Sequence, residues 1–202
     1  KGIRFTNSLI NLTLICCSAI TIIVVLFTEQ VVNLFASGFS SQTMEVAISF
    51  TRISIIGIYS IATFYIYEAF LHQNGSFSVS GLTALPVNLL VIIAVIISSK
   101  TNKLVLSIGS VLSSTLHTLL LLFFSFRRQY RYQLVLDMKD VYLKKMLLLM
   151  LPIILGSSTH QINQIIERTI ASHVAVGGIT ALSISQKLIS FLKDVFVLSF
   201  AT

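Results

Sequence analysis

Tryptophan is absent from this 202-residue chain, and charge is scarce: Asp, Glu, Lys and Arg together make up 10% of it. Soluble domains carry about 25% charged residues, so the composition falls well outside theirs. Only 2 Pro and 9 Gly are present, which excludes collagen-like and low-complexity chains. Intrinsic disorder needs low hydrophobicity and high charge, the opposite of what is found. The two cysteines, Cys16 and Cys17, are adjacent. Helical neighbours project about 100° apart, so they suit neither a bridge nor a metal site and read as small packing residues. Acidic residues are the scarcer charge, 7 against 14 Lys+Arg. A basic excess raises the question of nucleic acid, but these cations lie between apolar runs too long for a soluble core. No nucleic-acid partner is expected. The chain is read as an integral membrane protein.

What is present is long apolar sequence, with 55% hydrophobic residues and a mean hydropathy of +0.92. Crossing about 30 Å of hydrocarbon takes roughly 20 helical residues. Six stretches meet that length: 8–35, 47–71, 79–99, 104–126, 146–174 and 179–201. The fold class expected is therefore all-α, a polytopic integral membrane helix bundle. Lys1 opens the chain without an initiator Met or a signal-peptide pattern, and Thr202 falls inside an apolar run. The sequence is accordingly expected to be a piece of a longer protein.

The cations orient the bundle. Lys1 and Arg4 precede the first span, while Arg127, Arg128, Arg131, Lys139, Lys144 and Lys145 fill the loop between the fourth and fifth. Four spans separate the groups, so both lie on one side of the membrane, and the positive-inside rule makes that side cytoplasmic. Opposing loops carry Lys100 and Lys103. Both ends of the chain are thus expected in the cytoplasm. The 127–145 loop mixes Tyr130, Tyr132, Leu134, Leu136, Val141, Tyr142 and Leu143 with its charges. It reads either as an interfacial helix along the headgroups or as a solvated linker.

Polar residues at depth in a bilayer should face water, protein or a substrate. Arg52 and Glu68 lie near the ends of the second span, where snorkelling accounts for them. The last two spans differ. His160, Asn163, Gln164, Glu167 and Arg168 fall within an arc of about 140° on a helix, and Ser157 lies on it too. Ser183, Gln186, Lys187, Ser190, Lys193 and Asp194 fall within about 120° on the next. Glu167 lies ten residues before Gly177 and Lys187 ten after it, which places both roughly 15 Å deep. They can form a structural ion pair, or line a hydrated cavity at the height where secondary transporters hold substrate. His160 has no partner at i+4 for a metal site. No Walker loop, G-x-S-x-G, H-E-x-x-H or paired-carboxylate arrangement is present. No enzyme activity, metal or other cofactor is expected.

Several motifs then carry a resemblance. Leu151-Pro152-Ile153-Ile154-Leu155-Gly156-Ser157 continues through Gln161-Ile162-Asn163 to Glu167, Ala171 and Ser172. Upstream stand Ala36-Ser37-Gly38-Phe39, Thr51-Arg52-Ile53, and Gly75-Ser76-Phe77 followed by Asn88. In order and spacing the chain resembles the lipid II flippases of the MurJ/MviN type, within the multidrug/oligosaccharidyl-lipid/polysaccharide exporter superfamily. The resemblance implies helices three to eight of a fourteen-helix, two-lobe flippase fold. Residues 1–126 would be four helices of the N-terminal lobe, 127–145 a basic cytoplasmic inter-lobe linker, and 146–202 the first two helices of the C-terminal lobe.

It also implies a function: undecaprenyl-diphosphate-linked peptidoglycan precursor moved across the bacterial cytoplasmic membrane by alternating access, driven by membrane potential or an ion gradient. Expected partners are a lipid-linked oligosaccharide, membrane lipids and a coupling ion. The substrate cavity is expected to hold Lys187, Gln186, Glu167, Asn163, Gln164, His160, Ser183 and Ser190, with Arg168, Lys193, Asp194, Arg52 and Asn88 as further candidates. This chain departs from the family pattern in places. Gln186-Lys187 stands where the family has Asp-Arg, Ser190 where it has an acid, and Leu192 where it has Pro. Gly57, Ser80 and Ala84 replace family prolines, with Pro86 nearby. Lys187 keeps the cation but acts as a point charge, without the bidentate grip of Arg. A flippase for another lipid-linked polysaccharide, an ion-coupled exporter of amphipathic cations and a non-transporting membrane scaffold are the alternatives.

Overall fold

A computed structural model describes residues 2–137, 139–174 and 177–201, without the side chains of 194, 195 and 197–201. Eight helices follow one another: α1 (Gly2–Leu26), α2 (Thr28–Ala36), α3 (Ser41–Ser54), α4 (Gly57–Gln73), α5 (Phe77–Lys100), α6 (Leu104–Arg127), α7 (Val141–Val174) and α8 (Gly178–Ala201). Among the described residues, α1, α5, α6 and α7 are each long and apolar enough to cross a membrane. The pair α3 and α4 makes a fifth crossing if it is one broken span. The last expected span is helical as α8, but it carries Lys187, Lys193 and Asp194 within 24 residues and is not among those four.

Two expected spans are interrupted. The stretch 8–35 breaks at Phe27, where the Thr28 hydroxyl donates to the carbonyls of Val24 (2.7 Å) and Val25 (3.0 Å). Such back-bonding competes with the helical ladder and bends it. The stretch 47–71 bends by 42° between α3 and α4. There Ile56 N–H and Ile58 N–H donate to the carbonyls three residues back, Ile53 and Ile55. This local tightening coincides with Ser107, which donates to the Phe50 carbonyl and bonds the Ser54 hydroxyl.

The chain divides into two compact units, one of residues 1–28 and 46–151, the other of 29–45 and 152–202. In the first, α6 packs between α4 and α5, and α1 packs on α4. Apolar contact gains little over lipid inside a bilayer, so close approach and polar bonds must hold helices together. Gly109 supplies the approach: a Cβ there would collide with that of Ala94 on α5. Hydroxyl groups along α6 supply the bonds. Ser113 donates to the Val87 carbonyl at 2.9 Å and Thr118 to the Ser60 carbonyl at 2.7 Å. Thr115 pairs with Ser60 at 3.0 Å, and His117 with Thr83 at 3.1 Å.

A small core of Ile10, Tyr67, Leu71, Leu121 and Tyr130 closes one end of this unit. Between α6 and α7 the chain is neither an interfacial helix nor a free linker. Residues 131–137 have no regular secondary structure, and they are fastened along α1. Asn7 Nδ2 donates to the Arg131 carbonyl at 2.9 Å and Asn11 Nδ2 to the Val135 carbonyl at 2.8 Å. Tyr130 and Tyr132 return their hydroxyl hydrogens to the same two amides. The Asp140 carboxylate then accepts from Tyr142 N–H at 2.7 Å, capping α7 five residues earlier than the hydrophobic run alone indicates.

In the second unit α2 and the turn after it meet the end of α7. Gly38 N–H donates to Ser172 Oγ at 3.1 Å, and a Cβ at Gly38 would strike the Ser172 backbone. Ser37 and His173 pair at 2.8 Å.

Candidate functional site

The site belongs to the second unit and is made by α7 and α8. Gly177 turns the chain between them at φ 86°, where a side chain would be strained. Gly178 then lies so close to the Ala171 carbonyl that no Cβ would fit. The two glycines let the helices start their antiparallel course in near contact. Each helix has one polar arc, and the arcs meet in an open groove of about 640 Å³.

The groove is lined by His160, Gln164, Glu167 and Arg168 of α7 and by Ser183, Gln186, Lys187, Ser190 and Lys193 of α8. Ile189 and Phe191 add apolar surface. Glu167 is at the centre of the bonding. Its Oε1 accepts from Asn163 Nδ2 and its Oε2 from Gln186 Nε2, both at 2.7 Å. Gln164 and His160 pair one turn apart at 3.0 Å. Ser183 turns its hydroxyl back on the Ile179 carbonyl at 2.8 Å.

The ion pair between Glu167 and Lys187 is not formed. Among the described residues the one ion pair is Arg4–Asp137, at 3.3 Å in the first unit. Depth along a helix fixes height but not rotation, and Gln186 and Lys187 project about 100° apart. Gln186 is the one turned to Glu167. Lys187, Arg168 and Lys193 stay exposed, so among the described residues the groove sets three cations against one carboxylate. That balance favours an anionic ligand over a cationic one.

Other candidates lie elsewhere. Asn163 does not line the groove but holds Glu167. Arg52, in the last turn of α3, and Asn88, in α5, are exposed residues of the first unit. The Asp194 side chain lies outside the described residues. Among the described residues, no group of three His, Cys, Asp or Glu side chains is placed to hold a metal ion. The first unit has a larger groove, about 1360 Å³, between the start of α1, the end of α4 and the start of α7. Its walls are mainly apolar, with Phe5, Leu9, Ile66, Phe70, Met146 and Leu149 among them. Arg4, His72, Gln73, Asp137, Asp140 and Lys145 stand at its edge, and the Arg4–Asp137 ion pair is among them.

The sequence matches the family described as "Lipid II flippase MurJ" over residues 1–202. The chain belongs to that family. A probable lipid II flippase MurJ of Treponema pallidum (strain Nichols) is 22% identical over 208 residues, covering all of this chain and 39% of the relative. The lipid II flippase MurJ of Thermosipho africanus (strain TCF52B) is 30% identical over 122 residues, 60% of this chain and 25% of that protein. The fold matches a solved lipid II flippase MurJ in an inward closed conformation with a TM-score of 0.76 and 24% identity. That match takes in 94% of this chain and 40% of the solved one. The chain therefore spans about two fifths of the length of these MurJ proteins.

Within this MurJ-family chain, two groups of residues escape a reading by composition. One is the hydroxyl ladder of α6, visible in sequence as an unusual density of Ser and Thr between 107 and 118. The other is the fastening of 130–137 to α1. Its signal is Asn7 and Asn11, four apart on one helical face, with Tyr130 and Tyr132, two apart on one side of an extended chain.

Proposed function

We propose that this chain is part of a flippase that carries undecaprenyl-diphosphate-linked peptidoglycan precursor, lipid II, across the bacterial cytoplasmic membrane for cell-wall synthesis. The observation that carries the proposal is the groove between α7 and α8, where exposed Lys187, Arg168 and Lys193 surround a carboxylate already engaged by two amides. A diphosphate entering such a groove meets, among the described residues, three cations against one carboxylate. Lys187, nearest the midplane, attracts the diphosphate, while Gln164, Gln186, Ser190 and His160 offer hydrogen bonds to the sugar. Glu167 stays fixed by Asn163 and Gln186, so its carboxylate is turned to the two amides and forms no ion pair with Lys187.

On this reading residues 1–126 are four helices of one lobe, 127–145 the cytoplasmic connection, and 146–202 the first two helices of the other lobe. The basic residues of 127–145 support a cytoplasmic side for that connection and for the start of α1, by the positive-inside rule. Transport by alternating access is powered by membrane potential or an ion gradient, and the protein performs no covalent chemistry.

The test is genetic. Cells depleted of their own lipid II flippase should resume growth when supplied with this protein as its cell makes it. Full insertion in the membrane without any recovery of growth contradicts the proposal.

A further inference from the structure

The segment 127–145 carries Arg127, Arg128, Arg131, Lys139, Lys144 and Lys145, all exposed. Its two acids are both committed elsewhere. Asp137 is paired with Arg4 and accepts from the Lys139 backbone N–H, and Asp140 caps α7. Arg127 also rests on the Phe123 ring, 4.9 Å from its centroid, at the last turn of α6. The segment thus presents six cations with no acid side chain paired to them among the described residues.

Its shape is imposed. The amides of Asn7 and Asn11 hold the backbone carbonyls of Arg131 and Val135, and Tyr130 is buried among Ile10, Tyr67 and Leu121. With the inner face used for this fastening, Leu134 is left 89% exposed, and Leu136, Val141 and Tyr142 also face outward. Cations and apolar side chains on one exposed stretch, adjoining the ends of membrane-crossing helices, match the interface between anionic headgroups and acyl chains. We propose that this segment is a docking surface for the anionic phospholipids of the bilayer. The fastening to α1 keeps it extended, so the cations are spread over several headgroups. The surface acts in this way whether or not the groove of α7 and α8 carries lipid II.

Residues 1–202 contain no tryptophan, so Leu134→Trp adds a reporter at an exposed position, read as the difference in emission between the variant and the parent protein. The variant would be placed in nanodiscs of phosphatidylcholine, or of phosphatidylcholine and phosphatidylglycerol in equal parts, with brominated acyl chains in both. The expected result is blue-shifted, quenched emission in the anionic discs and solvent-like emission in the zwitterionic ones. Replacing Arg128, Arg131 and Lys139 by Gln should weaken docking roughly fivefold per residue. Arg128→Lys with Arg131→Lys should preserve it. Salt at about 1 M, where the Debye length is about 3 Å, should also weaken it. Equal emission in both discs, or a blue shift that survives the triple replacement, overturns the proposal.

Discussion

Gln186 Nε2 donates to Glu167 Oε2 at 2.7 Å, and this hydrogen bond joins α8 to α7 across the polar groove. It also decides what the groove offers a ligand. With the carboxylate turned to Gln186 and Asn163, Lys187 has no ion-pair partner among the described residues. Gln186→Ala should therefore destabilise the protein modestly, by about 1 kcal/mol, since the bond is charge-assisted but only partly buried. Gln186→Glu should cost more, because a second carboxylate would then face Glu167. Thermal unfolding in detergent, with all variants at one protein concentration, checks the order.

Tyr130 is 1% exposed and hydrogen-bonded to Asn7. Burial raises its phenol above the ordinary range, with the neighbouring Tyr67 adding to the effect. The stability this contributes is complete below the unfolded value of about 10. As pH rises beyond that, the unfolded state ionises first and folding is progressively opposed. Alkaline titration followed by tyrosinate absorbance should show a late ionisation to which Tyr130 contributes, accompanied by loss of the fold. Tyr130→Phe should reduce that late step, and at neutral pH it should cost about 1–3 kcal/mol by leaving Asn7 Oδ1 without its donor.

Gln129 adopts φ 62° just after α6. Its N–H donates to the Phe126 carbonyl and Tyr130 N–H to that of Ser125, so the helix ends in a Schellman turn. Gly75 ends α4 in the same way, with its N–H on the His72 carbonyl and Ser76 N–H on that of Leu71. A side chain in the left-handed region costs roughly 1 kcal/mol that glycine avoids. Gln129→Gly should consequently stabilise the protein by up to about 1 kcal/mol, less what glycine loses through a freer unfolded chain. Unfolding midpoints of the two proteins in denaturant would measure it.

The polar arcs of α7 and α8 were legible because helical periodicity assigns residues to faces without knowledge of the partner helix. His160, Gln164 and Glu167 share a face whatever stands opposite. The identity of the partner was not legible, since it depends on how each helix is rotated. Gln186 and Lys187 are neighbours in sequence, and only packing selects between them. The bend between α3 and α4 escaped for a similar reason: Ile55 and Ile56 are unremarkable locally, and the bonds that accompany the bend come from Ser107 on another helix. The fastening of 130–137 to α1 joins residues more than 120 positions apart, a distance over which periodicity carries no information. The basic segment was recognised as basic, but its extended shape follows from Asn7 and Asn11.

The central claim is that Lys187 handles the diphosphate of a lipid-linked precursor. It is tested most directly by reconstituting the protein, as its cell makes it, in liposomes and following the transfer of a fluorescent undecaprenyl-diphosphate-linked precursor between leaflets. Lys187→Ala should slow transfer at least about tenfold, as expected for the loss of a charge-assisted contact of about 1.5–3 kcal/mol. Lys187→Arg should retain most of the rate. Equal rates for the wild-type protein and Lys187→Ala would contradict the account.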